Sequence, residues 1–230
     1  MGIPIEGAME RALAEKNKPE THTDKNLPGS EGRIYVPSIN AYFDEERSLH
    51  NLDWYDTHKK ALGEGLGRMP TPRETWELIS HAKANLSDLK LRKVYDDILK
   101  TIPLDTWHGE WQNAKFSKDG NDMYVQRVTG LDSNRELIYS GREKLEDCLM
   151  KSCFADLTPN RQGLLTREHP NQNYVQGENI YLWRPVDKCV ARFDAGSVRA
   201  SFDCIKGPSY GSSSIGVRLV HEVNAGGNAS

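Results

Sequence analysis

Apolar positions along this chain repeat with a helical period in its first half and with a strand period in its second. "RIYVPS", from Arg33, alternates as a strand and is stopped by Pro37. "LDWYDTHKKALGEG" predicts a short helix that Asp53 caps and that stops before Gly63. In "GRMPTPRETWELISHAK", Thr71 at the N-cap, Pro72 at N1 and Glu74 at N3 form a capping box. Met69 stands before it in the position of a staple, and Trp76, Ile79 and Ala82 or Lys83 fall near one face. Leu91, Val94, Tyr95 and Ile98 mark a further helix face, with Ser87 as its cap and Pro103 beyond its end.

Strand-like pieces follow: "GEWQNAKF", "MYVQRVT" and "ELIYS", the first two joined by the turn SKDGND. A short helix is expected over Gly141–Met150 and loop over 156–179. "NIYLW", "KCVARFD", "SVRASFD" and "GVRLVHEV" then read as four closing strands. Helices before strands, with one strand at the start, argue for an α+β domain. Pairing of the first strand with the last would bring the ends together, and a helix pair would cover one sheet face. Residues 1–31 read as a polar flexible leader with a short helix over 7–16, residues 32–223 as the domain, and 224–230 as a flexible tail.

Composition narrows the functional classes. The net charge of −3 comes from 30 basic and 33 acidic residues interspersed along the chain, without the basic stripe of a nucleic-acid binder. No apolar run approaches the roughly 20 residues that cross a bilayer, and the N-terminal residues do not read as a signal peptide. Cys148, Cys153, Cys189 and Cys204 lack zinc-ribbon spacing and read as small buried hydrophobes. Whether Cys148 and Cys153 bond is left open. No cofactor is expected: the phosphate-loop pattern is missing, and the seven histidines form no readable metal or triad spacing. Five tryptophans and nine tyrosines are many for 230 residues, and such rings serve both cores and adaptable binding surfaces.

The most unusual stretch is "SVRASFDCIKGPSYGSSSIGVRLV" (197–220), two strand-like ends around a Gly/Pro/Ser centre with one tyrosine. Alternation places Val198, Ala200, Phe202 and Cys204 on one face and Arg199, Ser201 and Asp203 on the other. In the preceding strand it sets Cys189, Ala191 and Phe193 against Val190, Arg192 and Asp194. Periodicity alone does not say which set faces a ligand. Arg192, Asp194, Arg199 and Asp203 suit either a polar partner or cross-strand pairing. Trp183 reads as an anchor of core or rim, and Arg218 as structural. Ser209, Tyr210 and Ser212–Ser214 offer the Tyr/Ser/Gly chemistry of adaptable paratopes.

"GRMPTPRETWEL" resembles the "RLPTEAEWEYA" pattern of the formylglycine-generating-enzyme group, and "IGVRLV" resembles the "GFRLV" that closes those domains. Val198-Arg199-Ala200, "GPS" from Gly207, five intervening residues and "IG" from Ile215 resemble the ending of phage tropism determinants, the variable proteins of diversity-generating retroelements. The resemblance implies an archaeal or viral member with a C-type lectin fold: paired terminal strands, two main helices and a small antiparallel upper sheet. It also implies a ligand-binding surface, about 183–214, whose codons are varied by adenine-directed mutagenesis. On that reading Arg184, Asp187, Cys189, Ala191, Phe193, Asp194, Ser201, Asp203, Ile205, Tyr210, Ser212, Ser213 and Ser214 are the candidate contact residues.

The expected function is therefore non-enzymatic binding of a protein or glycan ligand on a target cell, without nucleic acid or membrane insertion. Association with a virion or surface assembly would fit, with a virion or cell-surface location favoured over the cytoplasm. An oxidase related to formylglycine-generating enzymes, or its inactive relative, is the second reading. Against it, "GGSW" is absent and Cys189 and Cys204 are fifteen positions apart, not the five that the resemblance implies. A calcium-dependent lectin would need converging carboxylates, for which "HPNQN" and "GEN" are weak substitutes. A structural virion or surface domain is the third.

Overall fold

Three helices, each started by a side-chain cap, pack on one broad sheet in the computed structural model, which describes residues 31–101 and 106–223. The expected leader, its short helix, the tail and Pro103 lie outside the described residues. Helix α1 (Trp54–Gly63) begins where the Asp53 carboxylate accepts from Asp56 N. Helix α2 (Pro72–Ala84) carries the full capping box: Thr71 accepts from Glu74 N, and the Glu74 carboxylate accepts from Thr71 N. Helix α3 (Leu89–Leu99) is capped by Asp88, which accepts from Lys90 N and Leu91 N. The expected cap at Ser87 is thus displaced by one residue, to the carboxylate nearest the first helical N–H groups.

Strands β1 (Arg33–Val36) and β2 (Ala41–Asp44) form a hairpin around a 3-10 turn started by Pro37. Strand β13 (Val220–Glu222) adds to β2, giving the order β1-β2-β13. The first and last strands share this sheet with β2 between them, so β2 and not β1 receives the chain end.

The large sheet holds β3 (His108–Asp119), β4 (Asp122–Gln126), β7 (Glu143–Lys144), β8 (Cys153–Asp156), β9 (Asn179–Trp183), β10 (Val190–Ala195), β11 (Ala200–Lys206) and β12 (Ile215–Gly216). Its order is β7-β4-β3-β10-β11-β9-β8, with β12 beside β3. Pairing is mixed, since β9 runs parallel to β11 and β12 parallel to β3. Strands β5 (Val128–Leu131) and β6 (Leu137–Tyr139) make a separate hairpin.

The expected C-type lectin architecture is corrected by this arrangement. There are three helices rather than two, and an eight-stranded mixed sheet rather than a small antiparallel one. The sheet is large because β3 and β10, some eighty residues apart, pair side by side and join what read as separate hairpins. The helix expected over Gly141–Met150 is also absent: Glu143 and Lys144 pair with Val125 and Tyr124 as the edge strand β7.

Two apolar clusters hold the sheet from opposite sides. On one side Trp76, Ile79, Leu91, Val94 and Ile98 from α2 and α3 pack on Ile180, Leu182, Ala191, Phe193, Ala200 and Phe202. On the other, Trp54 of α1 joins Met69, Trp111, Val190, Ile215, Val217 and Leu219. Met69 therefore serves this second core. Arg218 is structural, as expected. It is buried, donates to Asp44 O (3.2 Å) and pairs with Glu110 (3.1 Å), tying the closing segment to β2 and β3.

Candidate ligand-binding site

Strand register assembles two rows of side chains across the face of the large sheet turned away from α2 and α3. The first row runs Phe154, Tyr181, Ser201, Asp194, Gly109 across β8, β9, β11, β10 and β3. The second runs Trp183, Asp203, Arg192, Trp111 across β9, β11, β10 and β3. Aromatic rings stand at one end of this face and a charged triad at its centre.

The triad is built around Arg192. Its Nη2 donates to Asp194 Oδ2 at 2.9 Å and to Asp203 Oδ2 at 3.4 Å, while its Nε lies 2.5 Å from Asp194 Oδ1 as an ion-pair contact. Asp203 Oδ1 accepts from Ile205 N at 2.9 Å. All three side chains are buried, and Arg192 Nε and Nη1 and Asp194 Oδ1 make no hydrogen bond, Nε and Oδ1 meeting only as the ion pair. Burial, reinforced by the Asp203 charge, pushes the Asp194 carboxyl up to about 6, against the opposing pull of Arg192 and Lys206. Separating charges inside a protein is costly unless they are paired, and this cluster leaves two guanidinium nitrogens without a hydrogen bond.

Aromatic rings roof the triad. The Arg192 guanidinium carbon lies 5.2 Å from the Trp107 ring centroid, 5.4 Å from Trp111 and 5.5 Å from Tyr210. The Lys206 ammonium lies 5.5 Å from the other occupant of that corner, the Tyr210 ring. Tyr210 is 42% exposed, whereas Trp107 is half-buried. At the opposite end Phe154, Tyr181 and Trp183 contact edge to face, with centroids 5.1 and 4.9 Å apart. Arg199 lies over Tyr181, its guanidinium carbon 3.9 Å from the ring centroid and 5.7 Å from that of Trp183.

The Gly/Pro/Ser segment is an ordered loop seated on α1. Pro208 O accepts from Trp54 N (3.0 Å), Gly207 O from Tyr210 N (3.1 Å), and Ser212 O from Ile215 N (3.0 Å). Ser214 O accepts from Gly109 N at 3.1 Å, which ties the loop end to β3. Ser212 Oγ turns inward to accept from Ser214 N, and Ser213 is exposed.

The candidate contact residues therefore divide. Tyr210 and Ser213 reach the surface, and Ile205, Ser212 and Ser214 are half-buried beside them. Asp194, Ser201 and Asp203 share this face but lie beneath its surface. Ala191 and Phe193 are corrected: both point to the helix side, where Phe193 stacks 4.9 Å from Trp76 and 4.8 Å from Phe202. The register that presents Arg192 and Asp194 outward necessarily buries their neighbours. Arg184 is exposed just after β9, and Asp187 accepts from Lys118 N at 2.8 Å in the turn before β10. Cys189, in that turn, is half-buried.

Sequence reading passed over Trp107 and Tyr181 as contributors to this face, and weighed Arg199 for a polar partner without naming it among the contact residues. The paired tryptophans of "TWHGEW" and the period-two placement of Arg199 with Ser201 and Asp203 were the available signals. All four thiols are unbonded, and burial raises each above its ordinary range, Cys148 to about 11. That environment disfavours the thiolate that cysteine chemistry requires. Among the described residues, no group of three His, Cys, Asp or Glu could hold a metal ion, and no helix is long and apolar enough to cross a membrane. An open cleft of about 440 Å³ lies between α1 and the β5–β6 turn, lined by Lys59, Lys60, Glu64 and Arg135 among others and by none of the two-row residues.

No protein-family model, curated protein or solved structure matches this chain.

Proposed function

We propose that this chain is a non-enzymatic ligand- or receptor-binding protein that engages its partner through the two-row face. The observation that carries the reading is the grouping of Trp107, Tyr181, Trp183 and Tyr210, all partly exposed, around Arg192 and Arg199. Tryptophan, tyrosine and arginine dominate binding hot spots because each brings a large contact area with little conformational freedom to lose. The buried Arg192 lies beneath Trp107 and Tyr210, while Arg199 lies over Tyr181 and beside Trp183.

The partner is a protein or glycan on a target-cell surface, and display on a virion or surface array would add avidity to a shallow single site. The "VRA", "GPS" and "IG" spacing supports membership of the retroelement variable proteins, with diversification of part of this face. The raised thiols speak against the oxidase reading.

The test is selection of binders from displayed random peptides and from a glycan array, using wild type and the Trp183→Ala and Tyr210→Ala variants. Binders that depend on both rings, at unchanged melting temperature, support the proposal. Binders indifferent to both rings, or none in either collection, overturn it.

A further inference from the structure

Arg199 differs from the other described arginines in the kind of company it keeps. Arg33, Arg47, Arg68, Arg73, Arg127, Arg142, Arg161, Arg167, Arg192 and Arg218 pair with carboxylates. The guanidinium groups of Arg92 and Arg135 donate to backbone carbonyls. Arg199 and Arg184 do neither among the described residues. Arg184 is simply exposed, with solvent around it. Arg199 is half-buried, its guanidinium carbon 3.9 Å from the Tyr181 ring centroid and 6.0 and 5.7 Å from those of Phe154 and Trp183. Stacking orients a guanidinium while leaving its in-plane N–H fork free, and that fork matches a carboxylate in bidentate geometry.

Resting on the binding role of this face, we propose that Arg199 is the anchor for an acidic side chain of a protein partner. Charge complementarity supports a carboxylate: Lys206, over Tyr210, likewise has no ion pair among the described residues, so the rim of the face carries spare positive charge while its acids are spent on Arg192. A sugar acid fits less well. The Tyr181 ring face is already taken by Arg199, and the rings succeed one another at 82° and 68°, which leaves no continuous flat shelf for a pyranose. Because Arg199 is already oriented, little side-chain entropy remains to be lost on binding.

The experiment titrates the full chain, at low salt, with three probes: a synthetic peptide holding one glutamate between leucines, the same peptide with glutamine, and free glucuronate. Calorimetry and tryptophan fluorescence report binding for wild type, Arg199→Gln, Arg199→Lys and Trp183→Ala, and thermal melting reports folding. The glutamate peptide is expected to bind about tenfold more tightly than the glutamine peptide. Arg199→Gln should remove that preference and Arg199→Lys retain part of it, because a lysine keeps the charge but not the fork. Equal binding of the two peptides, glucuronate binding more tightly than either, an unaltered preference in Arg199→Gln, or no binding by wild type overturns the proposal. If Arg199→Gln unfolds, a full preference in Arg199→Lys overturns it instead. Binding that needs Trp183 but ignores Arg199 would sink this inference and leave the wider binding role intact.

Discussion

Gly109 and Asp194 face each other across β3 and β10, and a Cβ on Gly109 would lie 2.6 Å from Asp194 Oδ1. The same carbon would stand 3.0 Å from Arg192 Cδ. The charged triad therefore occupies space that any other residue at position 109 would fill. Gly109→Ala should cost about 1–3 kcal/mol, as overpacking of a filled interior does. Urea unfolding measures it, and a variant as stable as wild type would refute the close-packing argument.

The two faces of β10 and its neighbouring loop should respond oppositely to truncation. Phe193→Ala removes a ring packed between Trp76 and Phe202 and is expected to cost about 3–5 kcal/mol. Tyr210→Ala, at an exposed position, should fall within about 1 kcal/mol of wild type while weakening ligand capture. Chemical denaturation beside a binding assay separates the two. A tolerated Phe193→Ala would contradict the burial of that ring.

Two buried groups give stability opposing slopes with pH. The Asp194 carboxyl is raised from 3.8 to about 6, so the fold binds its proton more tightly than the unfolded chain does. Its contribution favours the fold in acid and is lost as pH rises from about 4 to 6. The His58 imidazole, buried against Trp54 with centroids 4.3 Å apart, is lowered by burial from 6.5 to about 3. It favours the fold above pH 6.5 and that contribution is lost as pH falls towards 3. Asp194→Asn should thus steepen acid destabilisation, and His58→Gln should flatten it. Urea midpoints measured across this range decide the matter; a curve for Asp194→Asn parallel to wild type would rule out the raised carboxyl.

Thr71 serves the scaffold alone. Thr71→Ala breaks the capping box at the start of α2 and should cost about 1 kcal/mol without changing affinity for any ligand of the two-row face. A change in affinity larger than the change in stability would mean that α2 communicates with that face.

The proposed diversification makes a genomic prediction with a structural filter. A near-copy of the codons for residues 180–220, next to a reverse-transcriptase gene, should differ at template adenines. The differing codons should fall on outer-face and loop positions such as Ser201, Asp203, Tyr210 and Ser213, and spare Ala191, Phe193 and Phe202 in the core. A repeat that varies the core positions instead would refute the assignment of faces.

The helices were legible because their signals are local. A cap and a first-turn proline act within four residues, so Thr71, Pro72 and Glu74 appear as readily in the sequence as in the structure. Asp53 is the same case. The sheet was less legible because its closure depends on distant partners. Cys153–Asp156 gains its identity as β8 only by pairing with β9, and β7 only by pairing with β4. Short strands of this kind carry little periodicity of their own.

The same division runs through the candidate site. Alternation by itself separated Ala191 and Phe193 from Arg192 and Asp194, and Phe202 from Ser201 and Asp203, because successive side chains in any strand point to opposite sides. Which set would meet the helices was decided only when α2 and α3 docked on one side of the sheet and took Phe193 and Phe202 into their core. The hairpin of β10 and β11 brought Arg192 against Asp203, and the pairing of β10 with β3 then brought it against Trp111 and Trp107, residues far away in the chain. Local spacing can set the orientation of one side chain relative to the next, but only packing between remote segments determines which of them is left facing a partner.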